Sequence, residues 1–391
     1  MKIAIVGNGI AGITAAKYIS EKEPRASITV FTDEEYNYYP RPLLDRLLSE
    51  SITLDGMFPY NDEWYKKRGI RVSLGDNVTA VDTTSKKIKA AVSGTSDYDK
   101  LLLTTGASPF VPPIEGVSGK EVFTYRNISD VLRIRSLARD KKKAAVIGGG
   151  LLGLETAKAL TERGMKVVVV EHNSRLLPRQ LDEEGAALIK YCVEKTGIEV
   201  LLSQSTCCGI DADLFIAAAG VRPNTSLAKS CGIGVQKGII VDGNLRTNCP
   251  DVFAAGDCAE FNGTVYGIIP AALEQGLAAA SNMTGVPAEY KGTTFQATLK
   301  VVGIDVTTIG AVNPEGEGYE SLSKKDEAKG TYRRCIIKDG KLVGAIVIGE
   351  KAGVSSLANI IKEGADVSKD KDALMGDDAA LSGLLRKGAN R

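Results

Sequence analysis

One short pattern constrains this chain more than any other, and it occurs twice. Lys2–Val6 is an apolar, β-branched run that passes into Gly7-Asn8-Gly9-Ile10-Ala11-Gly12 and then into residues 13–19, whose apolar positions recur at helical spacing. Ala144–Ile147, Gly148-Gly149-Gly150-Leu151-Leu152-Gly153 and Leu154–Arg163 repeat that order. Strand, glycine turn and helix in direct succession make a βαβ unit. Its first glycine turns the chain tightly, its second leaves room for a pyrophosphate against the backbone, and its third lets helix and strand pack closely. The free amides of the helix N-terminus, with roughly half a positive charge of macrodipole, then face the phosphates. Each unit continues into a second strand that ends on an acid suited to a ribose diol, Asp33 or Glu34 after Ile28–Phe31 and Glu171 after Val167–Val170. The chain is therefore expected to be α/β, with two Rossmann-like domains that each bind a dinucleotide.

Glu171 favours NAD, because a carboxylate there accepts both ribose hydroxyls and repels the 2′-phosphate of NADP; Arg175 just beyond would partly relieve that repulsion. Loops at the carboxyl ends of the remaining strands supply further candidates. These are Arg41 and Arg46 after the aromatic stretch Tyr36–Tyr39, the turn Thr104-Thr105-Gly106, the turn Ala219-Gly220, and Ala255-Gly256-Asp257 ahead of a helix from about Pro270 to Met283. From Thr294 the texture changes to short alternating strands with an Asp339-Gly340 hairpin turn, then helices near Ser355–Glu363 and Asp378–Arg386. A small α+β C-terminal domain is expected there.

The 391 residues, with 43% hydrophobic and 25% charged side chains, suit two or three soluble domains. A net charge of +1 gives no reason to expect nucleic acid or a membrane surface as partner. No cationic leader with an apolar core opens the sequence and no apolar run reaches membrane-span length, so the expected location is cytoplasmic. Seven cysteines at irregular spacing fit a reducing compartment, and no metal site is expected.

GNGIAG, TTGASP at Thr104–Pro109, GGGLLG with Glu171, and TNCPDVFAAGD at Thr247–Asp257 together resemble the FAD-dependent pyridine nucleotide-disulfide oxidoreductases, and the resemblance covers essentially the whole chain. YPRPLLDR at Tyr39–Arg46, YRNISDVLRIR at Tyr125–Arg135 and RQLDEEGAALI at Arg179–Ile189 are similar to one branch. That branch holds NADH:rubredoxin reductases, ferredoxin reductases of oxygenase systems and the flavoprotein part of NADH-dependent nitrite reductase. The resemblance implies a glutathione-reductase-like order: an FAD domain at 1–110 and 240–293, a shortened NAD domain at 111–239, and a C-terminal domain at 294–391. It implies that Gly7, Gly9, Ile10, Ala11 and Gly12 hold the FAD pyrophosphate and that Asp33 or Glu34 holds its ribose. Arg41, Arg46, Thr105, Gly106 and Arg126 would lie at the flavin or its phosphates, Gly256 and Asp257 at the ribityl chain or pyrophosphate, and Pro270 and Ala271 at the flavin's pyrimidine edge. Gly148, Gly150, Leu152, Gly153, Glu171 and Gly220 would hold NADH, with Glu155 beside the nicotinamide; Glu155 and Arg46 are the candidates nearest the chemistry. Two departures stand out. Thr32 takes the usual place of the first acid, which leaves Asp33 one position late, and Gln204–Ala212 replaces a longer β-hairpin.

Cysteine inventory narrows the chemistry. Disulfide reductases of this superfamily carry redox cysteines after the first fingerprint, whereas this chain has none before Cys192 and its only histidine is His172. Dithiol exchange with a histidine acid–base is therefore excluded. Cys207 and Cys208 read as two small residues in the shortened loop. The expected function is transfer of electrons from NADH through FAD to a small carrier, rubredoxin or ferredoxin. Oxygen or a nitrite reductase partner is the alternative acceptor, and an NADH-responsive flavoprotein sensor is the non-enzymatic alternative. The sequence leaves room for a homodimer and offers Arg333, Arg334, Lys338 and Lys341 as a basic docking cluster for an acidic carrier.

Overall fold

The computed structural model describes residues 1–117 and 121–389. The chain divides into two compact units, Met1–Ser108 with Val221–Thr293, and Pro109–Gly220 with Thr294–Arg391.

The first unit is built on a five-stranded sheet in the order Val252–Ala254, Lys100–Leu103, Lys2–Val6, Ser27–Phe31, Ile70–Ser73, with every pairing parallel. Parallel strands covered on both faces read as continuous apolar runs, and Ile3–Val6 and Leu101–Leu103 are buried throughout. Val6 is in register with Phe31 on one side and Leu103 on the other, so the loops after all three strands leave the sheet at one edge. The helix Ile10–Lys22 buries Ala11, Ile13, Ala15, Ala16 and Ile19. It meets the helix Ile269–Met283 at backbone distance: a Cβ on Gly276 would stand 2.7 Å from Ala11 O. Between Ser73 and Lys100 the chain forms a three-stranded antiparallel meander, Val78–Asp82, Lys87–Ala90 and Gly94–Asp97.

The second unit repeats the plan with Glu199–Leu201, Lys166–Val170, Lys143–Ile147, Leu214–Ala217 and Val122–Thr124, again all parallel. The strands flanking the shortened loop stop at Leu201 and resume at Leu214, so the loop is longer than the Gln204–Ala212 segment read from sequence. Both cysteines lie in that loop, but Cys207 is buried among Ala145, Ile147, Val170 and Phe215, whereas Cys208 is exposed.

The same unit carries a five-stranded antiparallel sheet, Gln296–Val301, Ile304–Gly310, Lys341–Ile348, Thr331–Lys338 and Tyr319–Asp326. Its Asp339-Gly340 turn has φ of 49° and 73°, the left-handed pair that a two-residue hairpin demands. Helices Val354–Glu363 and Asp378–Ala389 cover one face, packing Leu357, Ile360 and Leu381 on Cys335, Ile337 and Val347. Lys338 and Lys341 of the expected basic cluster face each other across the hairpin, but Arg333 and Arg334 do not join them on one surface, because neighbours on a strand point to opposite faces. Arg333 is buried under the helices, where it donates to Glu350 at 2.7 Å and to the carbonyls of Gly376 and Ala352. Arg334 points the other way and pairs with Asp182 at 3.2 Å.

Candidate functional site

The two glycine loops have matching geometry. Gly7 and Gly148 adopt φ of 113° and 118°, and a Cβ on either would overlap a carbonyl of the neighbouring strand end, Thr104 O or Ala218 O. A Cβ on Gly12 or Gly153 would overlap Gly7 O or Gly148 O. Those four positions are closed by protein. At Gly9 and Gly150 an added Cβ meets no protein atom within 4 Å, and both glycines cap helices that have no side-chain cap. An open position facing uncapped amides fits a pyrophosphate. In the first loop, Asn8 Nδ2 and Oδ1 are also buried with no hydrogen-bond partner, a state that costs about 1–3 kcal/mol until something pairs with them. The residues present fit a dinucleotide at each loop.

Within the first unit a cavity of about 540 Å³ opens where the strands end, lined by Gly7, Asp33, Asp76, Val78, Thr105 and Asn224 among others. Ligands in parallel α/β sheets bind at this edge. The two candidate acids separate here. Asp33 lines the cavity, whereas Glu34 accepts from Arg41 Nη2 at 2.8 Å and from the Tyr39 hydroxyl. Burial alone would lower the Arg41 pKa, but Tyr39, Glu34 and Asp257 around it raise it above the ordinary value. Arg41 and Asp257 are thus brought together, and Gly256 N is held by Gln275 Oε1 at 2.8 Å. Thr105 and Gly106 are clamped by Asn224, whose Nδ2 donates to Thr105 O at 2.8 Å and whose amide donates to Gly106 O at 2.9 Å. Ile10 and Ala11 form the first turn of the fingerprint helix, with Ala11 buried. Pro270 and Ala271 open the helix Ile269–Met283, which has no side-chain cap. Arg46 is exposed on the short helix Leu44–Leu48.

Within the second unit Glu171 is buried and its carboxylate is held in place by three hydrogen bonds, which leave Oε2 with acceptor capacity. Its Oε2 accepts from Gly149 N at 2.5 Å, and its Oε1 accepts from the amide and side chain of Asn173 at 2.7 and 2.5 Å. Arg175 is spent on its own loop, donating to Leu181 O and Pro178 O. Leu152 and Glu155 lie in the first and second turns of the helix Leu151–Glu162, both half-buried. Gly220 has φ of 106° and accepts from Phe110 N. Arg126 precedes the helix Ile128–Ala138; its amide donates to Asp130 Oδ2 at 2.8 Å, and Asn127 caps the helix through Asp130 N.

Asn8, Asp76, Asn173 and Asn224 escaped the sequence reading. Asn8 and Asn224 carry a signal in hindsight, a polar amide inside a glycine turn and one just after a strand-ending glycine. Asp76 carries none, because its partners Val92 and Ser93 are distant in sequence. Among the described residues no group of three His, Cys, Asp or Glu is placed to hold a metal ion, and no helix is long and apolar enough to cross a membrane.

The pattern of the family named pyridine nucleotide-disulphide oxidoreductase matches residues 1–276, and that of the rubredoxin NAD+ reductase C-terminal domain matches residues 296–365. The assimilatory nitrate reductase electron transfer subunit of Bacillus subtilis (strain 168) is 36% identical, with 94% of this chain and 50% of that protein covered. The NADH-rubredoxin oxidoreductase of Clostridium acetobutylicum is 30% identical, over 98% of this chain and 99% of that protein. A crystal structure of NADH:rubredoxin oxidoreductase from Clostridium acetobutylicum superposes with a TM-score of 0.84 at 29% identity, covering 98% of this chain and 99% of the other. The chain spans about half the length of the nitrate and nitrite reductase relatives it matches.

Proposed function

The chain belongs to the pyridine nucleotide-disulphide oxidoreductase family, and from that premise we propose that it is an FAD enzyme that takes electrons from NADH and passes them to a small one-electron carrier protein of the rubredoxin or ferredoxin class. One paired observation carries this reading: two glycine loops are each open at the second glycine, in a chain with no cysteine before Cys192. Two dinucleotides without a thiol relay leave electron transfer directly outward. When bound, the flavin supplies hydride acceptance from the nicotinamide and stepwise electron release, which no side chain can perform.

The residues do the rest. In this reading residues 1–110 and 240–293 hold FAD, 111–239 form the NADH part, of which residues 221–239 pack in the first unit, and 294–391 form the C-terminal domain. Gly9 and the uncapped amides of Ile10 and Ala11 receive the FAD pyrophosphate, with Asp33 on the ribose side of the cavity. Arg41, paired with Glu34 and close to Asp257, anchors negative charge at this end of the site while Asp257 orients the polyol chain. Pro270 and Ala271 begin a helix whose uncapped N-terminus favours negative charge as the flavin is reduced. Gly150 and Leu152 take the NADH pyrophosphate and Glu171 its ribose; Glu155 and Arg46 are the candidates for the reacting rings, and Arg126 is assigned to the flavin or its phosphates.

The higher identity to the nitrate reductase electron transfer subunit favours a second reading of the acceptor, a nitrite- or nitrate-reducing partner module. Steady-state oxidation of NADH by the purified FAD protein, with rubredoxin, ferredoxin, oxygen and nitrite offered separately, decides between them. Turnover with an iron–sulfur or rubredoxin-type carrier, at least tenfold above that with oxygen or nitrite, is expected. Turnover with oxygen alone would overturn the carrier reading.

A further inference from the structure

Gly149, inside the second glycine loop, is held from three sides by the segment that follows Glu171. Its amide donates to Glu171 Oε2 at 2.5 Å, its carbonyl accepts from Leu177 N at 3.0 Å, and a Cβ on it would stand 2.6 Å from Leu176 Cδ2. Leu176 and Leu177 are fully buried. Leu177 sits at φ of 50°, a left-handed conformation that costs a branched residue of this kind on the order of 1 kcal/mol and persists only where its surroundings over-determine it. Its carbonyl takes both Gln180 N and Leu181 N at 2.9 Å, which winds the segment into a tight turn ending at Asp182.

The other end of that turn is fixed by the loop that follows the strand Ile304–Gly310 and by the strand Thr331–Lys338. Asn313 Nδ2 donates to Pro178 O at 3.2 Å and to Leu181 O at 3.0 Å. The Tyr332 hydroxyl donates to Asp182 Oδ2 at 2.6 Å, Arg334 pairs with the same oxygen, and Asp182 caps the helix Glu183–Glu194 through Gly185 N. Burial, and then the hydrogen bond to Asp182, push the Tyr332 phenol well above its ordinary pKa, so it remains a donor across neutral and alkaline pH. A line of contacts therefore runs from the C-terminal sheet through residues 176–182 to the phosphate loop.

We propose that Asn313 and Tyr332 are positioning residues for NADH, acting through the strained segment Leu176–Asp182 to keep the Gly148–Gly150 loop in its binding conformation. The inference rests on the second loop being the NADH site. Arg175 stays on the same two carbonyls as Asn313, so removing one support loosens Leu177 in part and removing both loosens it further, and the apparent Kd rises as the binding-competent fraction falls.

The test uses the FAD-loaded protein and measures NAD+ binding by calorimetry, so that no turnover is needed. Asn313→Ala and Tyr332→Phe are each expected to raise the Kd for NAD+ roughly three- to tenfold, and the double variant more than either, with FAD content unchanged. Glu350→Gln serves as the structural control, since it loosens the Arg333 network on the helix-covered face; it is expected to lower Tm and leave the Kd unaltered. A double variant that binds NAD+ as the wild type does would overturn the inference. Wild-type protein that binds no NAD+ would instead overturn the assignment of the second loop, and the inference with it.

Discussion

Gly9 and Gly12 lie three residues apart on one turn, yet a methyl group added to each meets opposite surroundings. At Gly12 it overlaps Gly7 O and comes within 2.8 Å of Thr104 Oγ1, so Gly12→Ala should cost about 3 kcal/mol or more and fold poorly. At Gly9 it meets no protein atom, and the backbone at φ −82° and ψ −173° suits alanine. Gly9→Ala should leave the Tm of the apoprotein nearly unchanged, with a loss of about 1 kcal/mol at most from the poorer cap. It should weaken FAD retention at least tenfold, read by fluorescence titration. A Gly9→Ala protein that holds FAD as tightly as wild type would remove the pyrophosphate from this loop. The same residue-level reasoning sets cofactor preference at Glu171. Its buried carboxylate would face a 2′-phosphate, and Arg175 is engaged with Leu181 O and Pro178 O. NADH should therefore exceed NADPH by about 1–3 kcal/mol, roughly five- to a hundred-fold in kcat/KM. Glu171→Ala should shrink that ratio, and equal kcat/KM in the wild type would show that Arg175 turns outward to meet the phosphate.

At the scale of elements, the meander from Val78 to Asp97 is tied to the sheet by one buried carboxylate. Asp76 accepts from Val92 N at 2.7 Å, Ser93 N at 3.2 Å and Ser73 Oγ at 2.9 Å. Burial by itself would raise its pKa, but the hydrogen bonds from Ser93, Val92 and Ser73 outweigh it and hold the value below the ordinary one. A depressed carboxylate binds fewer protons folded than unfolded, so its stabilisation is complete above the unfolded pKa of about 4 and fades as pH falls toward the folded value. Denaturant unfolding should accordingly show stability rising with pH below about 4, and Asp76→Asn should flatten part of that rise; an identical pH profile for the variant would contradict it. The meander also marks where sequence legibility ends. Strands such as Lys2–Val6 and Ala144–Ile147 are legible because two-sided burial writes an unbroken apolar run, and the glycine turns because only glycine fits beside Thr104 O and Ala218 O. Gly94–Asp97 reads Gly-Thr-Ser-Asp, which carries no alternation to mark it as a strand. Arg333 and Arg334 look alike in sequence, and only the sheet's pleat and the helices above it bury one and pair the other with Asp182. Asn224 and Asp76 enter the candidate site through partners far along the chain, which no local pattern reports.

For the molecule as a whole, the question is whether electrons leave through sulfur. All seven cysteines are free, and Cys207, Cys258 and Cys335 are buried while Cys192, Cys231 and Cys249 are partly so. Burial pushes the Cys335 thiol up to about 12 and raises Cys192, Cys231 and Cys258 as well, which keeps these groups protonated and slow as nucleophiles. Cys208 alone is exposed, and its neighbour Cys207 packs among Ala145, Ile147, Val170 and Phe215. A maleimide should therefore label Cys208 first, read by mass spectrometry, with the other thiols following only as the protein unfolds. Alkylation at that stage adds bulk to a surface turn. NADH oxidation coupled to the carrier should stay within about twofold of the untreated rate, the range expected for a surface change away from special features. Cys208→Ser should behave the same way, whereas Cys207→Ser would bury a hydroxyl among apolar side chains and lower Tm without stopping turnover. Carrier reduction that collapses once Cys208 is labelled, while NADH still reduces the bound flavin, would place a thiol on the outward path and overturn direct transfer.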